Sequence, residues 1–100
     1  MIRHVVCLTW IADATAAQRA AVIDALRELP AQIPEIRSFE VGADLGLQEG
    51  NADLVVVAGF DDESGYRAYA AHPAHQRILR ELIRPIMAER TAVQSAAGEA

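Results

Sequence analysis

Apolar and polar positions recur with different periods along this chain, and each period predicts an element of secondary structure. Residues 2–11 are mostly apolar and rich in β-branched side chains, which predicts a first strand. A helix is predicted to begin at Thr15, because Thr15 and Gln18 have the spacing of a capping box, in which each side chain binds the other residue's backbone N–H. The apolar residues that follow at helical spacing are Val22, Ile23, Leu26 and Leu29. Pro30 and Pro34 should close this helix, since proline lacks an N–H and clashes with the preceding turn.

The middle of the chain predicts two further strands joined by a polar loop. Residues 36–43 and 53–60 are the predicted strands, and the intervening residues 44–51 contain glycines and mostly polar side chains. The first and third strands, residues 2–11 and 53–60, are apolar on both faces, which in an antiparallel sheet implies that both faces are covered.

The last third of the chain predicts two helices and a fourth strand. A helix is predicted from about Asp61 to His72, and Pro73 suits the first turn of the next helix. The apolar residues on one side of that helix are Ile78, Leu79, Leu82 and Ile83. Pro85 is expected to end it, and residues 87–94 form the predicted fourth strand.

The order of the predicted elements is β-α-β-β-α-(α)-β, which is typical of a ferredoxin-like α+β fold with an antiparallel sheet. One domain over residues 1–94 is expected, followed by a frayed tail over residues 95–100. Helices can cover only one face of such a sheet, so a second copy, packed sheet against sheet with two-fold symmetry, is the simplest cover for the other face. The chain is therefore predicted to be a homodimer whose two sheets form one α/β barrel.

The composition restricts the possible partners and mechanisms. The formal net charge is −5 and no basic run occurs, which argues against nucleic acid and anionic membranes as partners. The sequence contains no run of about 18 apolar residues, so no transmembrane helix is predicted. Cys7 is the only cysteine, which excludes an internal disulfide and makes the cytoplasm the default location. All nine basic residues are arginine, and without lysine Schiff-base and pyridoxal phosphate chemistry are excluded.

The residues best suited to chemistry lie between Tyr69 and His75, where a phenol and two imidazoles occur together. Histidine titrates nearest neutral pH, so His75 is a candidate general base. With Pro73 at the first helical position, His75 falls in the first turn, where the positive end of the helix favours a neutral imidazole. Tyr69 could position a carbonyl or donate to a developing oxyanion. The alternative for both residues is a packing or capping role without chemistry.

Several segments together resemble the stress-responsive dimeric α/β-barrel family. They are Ile2-Arg3-His4-Val5-Val6, Ile33-Pro34-Glu35-Ile36, Phe60 and Tyr69-x-x-His72-Pro73-x-His75, in order along residues 2 to about 93. The resemblance implies a dimeric ferredoxin-like barrel. It also implies similarity to plant polyketide cyclases of the olivetolic-acid type, which close a linear polyketide acid by intramolecular aldol condensation without metal or cofactor. Carried over by motif, His75 is the general base, and Tyr69 positions the substrate and stabilises the enolate.

Three further residues are candidate substrate-binding groups, namely His4, His72 and Tyr66. The resemblance places His4 near the same pocket, although a buried strand histidine is more often a hydrogen-bonded core residue. His72, beside Pro73, is expected mainly to cap a helix, and Tyr66 to pack or to lie at the rim. The three histidines are not expected to bind a metal, because proline interrupts the H-x-x-H step and no acidic residue lies near it in the sequence.

Three functions remain open at this point. The leading one is a cofactor-independent cyclase or isomerase acting on a small, largely apolar, enolisable substrate. The second is a non-catalytic dimer that serves in the stress response or binds a hydrophobic or aromatic ligand. The third is a monooxygenase, cofactor-free or haem-related, as in related dimeric barrels. Arg77, Arg80 and Arg84 are expected on a solvated helix face, although one of them could meet a substrate carboxylate at the mouth of a pocket.

Overall fold

The structure, a computed structural model, describes residues 1–98 and confirms the predicted order of elements. The strands are β1 (Ile2–Trp10), β2 (Ser38–Ala43), β3 (Leu54–Phe60) and β4 (Met87–Ala96). The helices are α1 (Ala16–Arg27), α2 (Leu29–Gln32), α3 (Glu63–Ala71) and α4 (Pro73–Ile78). A π-helical turn (Leu79–Ile83) and a 3₁₀ turn (Arg84–Ile86) connect α4 to β4. This is the ferredoxin-like α+β fold expected from the sequence.

The described residues form one four-stranded antiparallel sheet in the order β2-β3-β1-β4. In the register of the central pair, Val5 lies opposite Val57 and Val6 opposite Val56. Successive side chains of a strand point to opposite faces, so the even-numbered residues of β1 share one face and the odd-numbered residues share the other. The even-numbered face is buried beneath the helices. The odd-numbered face is the open face of the sheet within the described chain.

The start of α1 confirms the predicted capping box. The Gln18 backbone N–H donates to Thr15 Oγ1 at 3.1 Å, and the Thr15 N–H donates to Gln18 Oε1 at 2.8 Å. The end of the helix differs from the prediction, because α1 stops at Arg27 and Pro30 does not terminate it. Pro30 lies instead in the first turn of α2, where a missing N–H costs no hydrogen bond. Leu29, assigned by its spacing to the first helix, is fully buried from α2.

The chain from Pro73 to β4 also departs from a single regular helix. The α-helix ends at Ile78, and the backbone widens into the π-helical turn before Pro85 enters the 3₁₀ turn. Strand β4 extends to Ala96, because Ser95 pairs with Arg3 and Ala96 with Ile2 on β1. Part of the tail expected to fray is thus in the sheet, and Glu99 and Ala100 lie outside the described residues.

The most deeply buried side chains lie between the helices and the sheet. The largest side chains with almost no exposed surface are Phe60, Leu29, Ile33, Ile86 and Val22. Phe60 belongs to strand β3, and Val22, Leu29 and Ile86 belong to α1, α2 and the 3₁₀ turn. The core thus packs the helical layer against the sheet. Among residues 1–98, no helix has the length and apolar character needed to cross a membrane.

Candidate functional site

A cavity of about 390 Å³ lies between the helices and the covered face of the sheet. Its apolar wall consists of Val6, Leu8, Leu26, Val56, Ala70, Leu79, Ile83 and Met87. Its polar wall consists of His4, Tyr66, Tyr69, His75, Gln76, Arg84 and Arg90. A mostly apolar cavity with a few converging polar groups is the usual form of a small-molecule site.

The break between α3 and α4 carries His75 to the cavity. His72 is the N-cap of α4, and its Nδ1 accepts from the Ala74 backbone N–H at 3.1 Å. Pro73 follows as the first helical residue, which places His75 in the first turn as predicted. The Pro73 ring and the His72 cap together fix the direction in which α4 leaves the break.

The ring of His75 has a defined tautomer. Its Nδ1 lies 3.2 Å from the backbone carbonyl oxygen of Ala70, and because a carbonyl only accepts, Nδ1 carries the proton. The Gln76 side-chain amide donates to the same oxygen at 2.6 Å. In the neutral ring Nε2 therefore keeps its lone pair, which is the atom that a general base needs.

Burial lowers the pKa of His75 below its ordinary value of 6.5, because a charged ring loses hydration there. The hydrogen bond to Ala70 opposes this shift, whereas the charges of Arg90 and His72 add to it. The lowered pKa keeps the ring neutral at neutral pH. His75 is thus held in the protonation state that accepts a proton.

Tyr69 packs directly against that base. The ring centroids of Tyr69 and His75 are 4.3 Å apart at an interplanar angle of 35°, and Tyr69 is 2% exposed. Burial raises the pKa of Tyr69, and the neighbouring Tyr66 raises it further, while the charge of Arg90 acts in the opposite direction. The phenol consequently keeps its proton at neutral pH and is a hydrogen-bond donor beside the cavity.

His4 forms the sheet side of the site. It is 3% exposed, and its Nδ1 lies 2.8 Å from Nε2 of Gln94 on the neighbouring strand β4. The amide nitrogen donates, so Nδ1 accepts and Nε2 of the neutral ring carries the proton. Burial, followed by the charges of Arg90 and His75, lowers the pKa of His4 from 6.5 to about 4. Its ring centroid is 5.1 Å from that of Tyr66 and 5.9 Å from that of Tyr69.

The structure brings four of the five predicted site residues to one cavity. His75, Tyr69, His4 and Tyr66 all line it. His72 does not, because its ring turns back to cap the backbone of α4. The structure thus places His72 at the cap of α4 and not in the cavity wall.

Sequence reasoning missed two groups on β4 that complete the site. Arg90 pairs with Leu8 and Gln94 with His4, so both strand positions face the helices. The sequence does show that Arg90 and Gln94 share one face of β4, because side chains alternate between the two faces of a strand. It does not show which of those faces the helices cover. Arg84 also lines the cavity, and it belongs to the arginine set considered for a pocket mouth.

In the part of the chain that the structure describes, the cavity wall carries positively charged side chains without negatively charged ones. Within the described chain its wall includes Arg84 and Arg90 and no aspartate or glutamate. Among residues 1–98, no group of three or more histidine, cysteine, aspartate or glutamate side chains has the arrangement of a metal site.

Comparison with known proteins places this fold in a family. Residues 2–96 match the family described as stress responsive A/B barrel domain. A dimeric ferredoxin-like protein of unknown function from Thermobifida fusca is 48% identical, with a TM-score of 0.88 over 95% of this chain and 89% of that one. A dimeric protein of unknown function from Bacteroides fragilis is 26% identical, with a TM-score of 0.77 over 94% of this chain and 93% of that one.

One solved neighbour is an enzyme. The hydroxynitrile lyase of Passiflora edulis has a TM-score of 0.85 at 16% identity, over 99% of this chain and 94% of that one. At that identity the similarity establishes the fold alone. No curated protein matches the sequence significantly.

Proposed function

The chain belongs to the stress responsive A/B barrel domain family, and we propose that it is a cofactor-independent acid–base enzyme for a small, largely apolar, enolisable substrate. His75 is the general base in this proposal, and Tyr69 positions the substrate by donating a hydrogen bond to its carbonyl oxygen. The observation that carries the proposal is the hydrogen bond from His75 Nδ1 to Ala70, because it leaves the Nε2 lone pair available in a mostly apolar cavity.

The first chemical step is removal of a proton next to a carbonyl group. His75 Nε2 takes the proton from the α-carbon, and the electrons of that C–H bond move onto the carbonyl oxygen to give an enolate. The Tyr69 hydroxyl donates a hydrogen bond to that oxygen. General base catalysis of this kind contributes about 10²–10⁴-fold to a rate.

A cyclase would use the enolate within the same molecule. The enolate carbon attacks a second carbonyl, a C–C bond forms, and the imidazolium of His75 returns its proton to the new alkoxide.

The alternative to this enzymatic function is a non-catalytic dimer that binds an apolar ligand in the same cavity. The cytoplasmic location stays a prediction from the single cysteine.

The proposed assembly is a homodimer through the open face of the sheet. That face carries apolar residues in its centre, and Val55 and Val93 are 38% and 57% exposed in the single chain. The Thermobifida fusca and Bacteroides fragilis neighbours are both described as dimeric. A two-fold dimer would bury the same residues from each copy.

Deuterium uptake by an enolisable probe tests the base. The probe is 2-acetonaphthone in D₂O at neutral pD, with loss of the methyl proton signal followed by NMR. His75→Asn keeps a side-chain N–H that can reach the Ala70 carbonyl but removes the base. We expect the protein-dependent exchange to fall by about 100-fold or more.

His72→Asn is the matched control, since it removes an imidazole outside the cavity and asparagine is a good N-cap. Its exchange rate should stay within about twofold of the original. Equal exchange by His75→Asn and the original protein would contradict the role of His75. Exchange no faster than in buffer for every protein would favour the non-catalytic ligand-binding dimer.

A further inference from the structure

We propose that the cavity takes ligands bearing a carboxylate, and that Arg90 binds this group. This inference rests on the proposed function, because it names the substrate class of the same site. The ligand would be an apolar or aromatic acid with its charged end at Arg90 and its reactive carbon near His75.

The backbone register places Arg90 on the correct side of the sheet. Arg90 lies opposite Leu8 on β1, and Leu8 is a buried residue of the helix-covered face that also lines the cavity. The residue is itself exposed, so the guanidinium lies where the cavity meets solvent. A ligand can therefore enter with its apolar part first and keep its charged end at Arg90.

Arg90 has no ion-pair partner among residues 1–98. The ion pairs of the described chain involve Arg19, Arg37, Arg67 and Arg80. The cavity wall holds no acidic side chain, although the protein has 14 acidic residues against nine basic ones. The guanidinium of Arg90 can therefore pair with an anionic group of a ligand without displacing a carboxylate of the described chain.

The charge of Arg90 acts on three titratable groups of the cavity wall, namely His4, Tyr69 and His75. It lowers the pKa values of His4 and His75 and opposes the rise at Tyr69. Arg90 lines the same cavity as these groups, so a carboxylate bound to its guanidinium would orient the rest of the ligand toward them.

A guanidinium matches a carboxylate better than other side chains do, because its planar N–H groups can form two parallel hydrogen bonds. Such a pair would fix the ligand along the cavity axis toward Tyr69 and His75. Neutral analogues of the same shape would lose this contact and leave the guanidinium without an anion.

The matched probes are 2-naphthoate and its neutral isostere 2-naphthamide, with binding measured by isothermal titration calorimetry. The original protein should prefer the acid by at least about tenfold. Arg90→Met keeps the apolar stem of the side chain, and it should abolish this preference while binding the amide as before. Arg77→Met removes the same charge from an exposed helix position outside this cavity, and it should keep the preference.

Two results would overturn the proposal. One is equal affinity of the original protein for acid and amide, or no binding of the acid at millimolar concentration. The other is an acid preference that survives Arg90→Met. Loss of the acid preference in Arg90→Met is read by calorimetry and loss of deuterium exchange in His75→Asn is read by NMR, so either claim can fail while the other holds.

Discussion

The two faces of the sheet have similar apolar content in their central strands but different environments. On β1 and β3 the covered face presents Val6, Leu8 and Val56 to the helices, and all three are nearly inaccessible. The open face presents Val5 and Val57, which are half-buried by their strand neighbours alone. Apolar character therefore does not determine which face the helices cover.

The covered face is itself divided between dense packing and a cavity. Phe60 and Ile33 have no exposed surface, whereas the region around His4 and Tyr69 encloses about 390 Å³. Filling that space with larger apolar residues would stabilise the core, because cavities cost packing energy. Its retention beside two histidines and two tyrosines is consistent with a ligand site.

The largest expected effect comes from placing a charge on the covered face. Val56→Asp would bury a carboxylate among apolar groups, and its desolvation should cost about 4 kcal/mol or more of unfolding free energy. Urea denaturation followed by circular dichroism would measure the loss. A stability close to that of the original protein would mean that the face is less enclosed than the structure indicates.

The same substitution one residue later should break the proposed dimer and leave the fold intact. Val57→Asp places a carboxylate at the centre of the open face, where two-fold symmetry would bring it near its copy in the partner. We expect the dimer to weaken by about 100-fold or more, with the far-UV spectrum retained. Analytical ultracentrifugation separates these outcomes, and an unchanged dimer would rule out assembly through this face.

A pH-dependent effect on stability should follow from the pKa of His4. At pH above 6.5 the ring is neutral in both the folded and the unfolded state, so its titration contributes nothing. As the pH falls from 6.5 to about 4, the unfolded chain binds a proton that the folded chain does not, and this destabilises the fold by up to about 3 kcal/mol.

His4→Asn should remove that part of the pH dependence and keep a hydrogen-bond acceptor for Gln94. Unfolding free energies at pH 7 and pH 4.5 would show a smaller difference in the variant than in the original protein. His72→Asn serves as the control, because His72 lies outside the cavity. An equal difference in the original protein and His4→Asn would show that His4 titrates normally in the folded state.

Interactions between near neighbours in the sequence could be predicted from the sequence. The Thr15–Gln18 box, the His72 cap and the position of His75 in the first turn of α4 all depend on a few consecutive residues. Strand identity and the ferredoxin-like order follow from apolar periodicity in the same way. The motif between Tyr69 and His75 accordingly pointed to the side of the cavity that the helices supply.

Of the other side of the cavity, the resemblance had indicated only His4, and tertiary structure decided the rest. His4 meets Gln94 across 90 positions of sequence, and Arg90 reaches the cavity because β4 pairs with β1 in one register. A shift of one residue would turn Arg90 and Gln94 to the open face. Local patterns indicate which residues share a face of a strand. Strand register and helix packing determine what that face contacts, and they cannot be predicted from local patterns because they join segments that are distant in the chain.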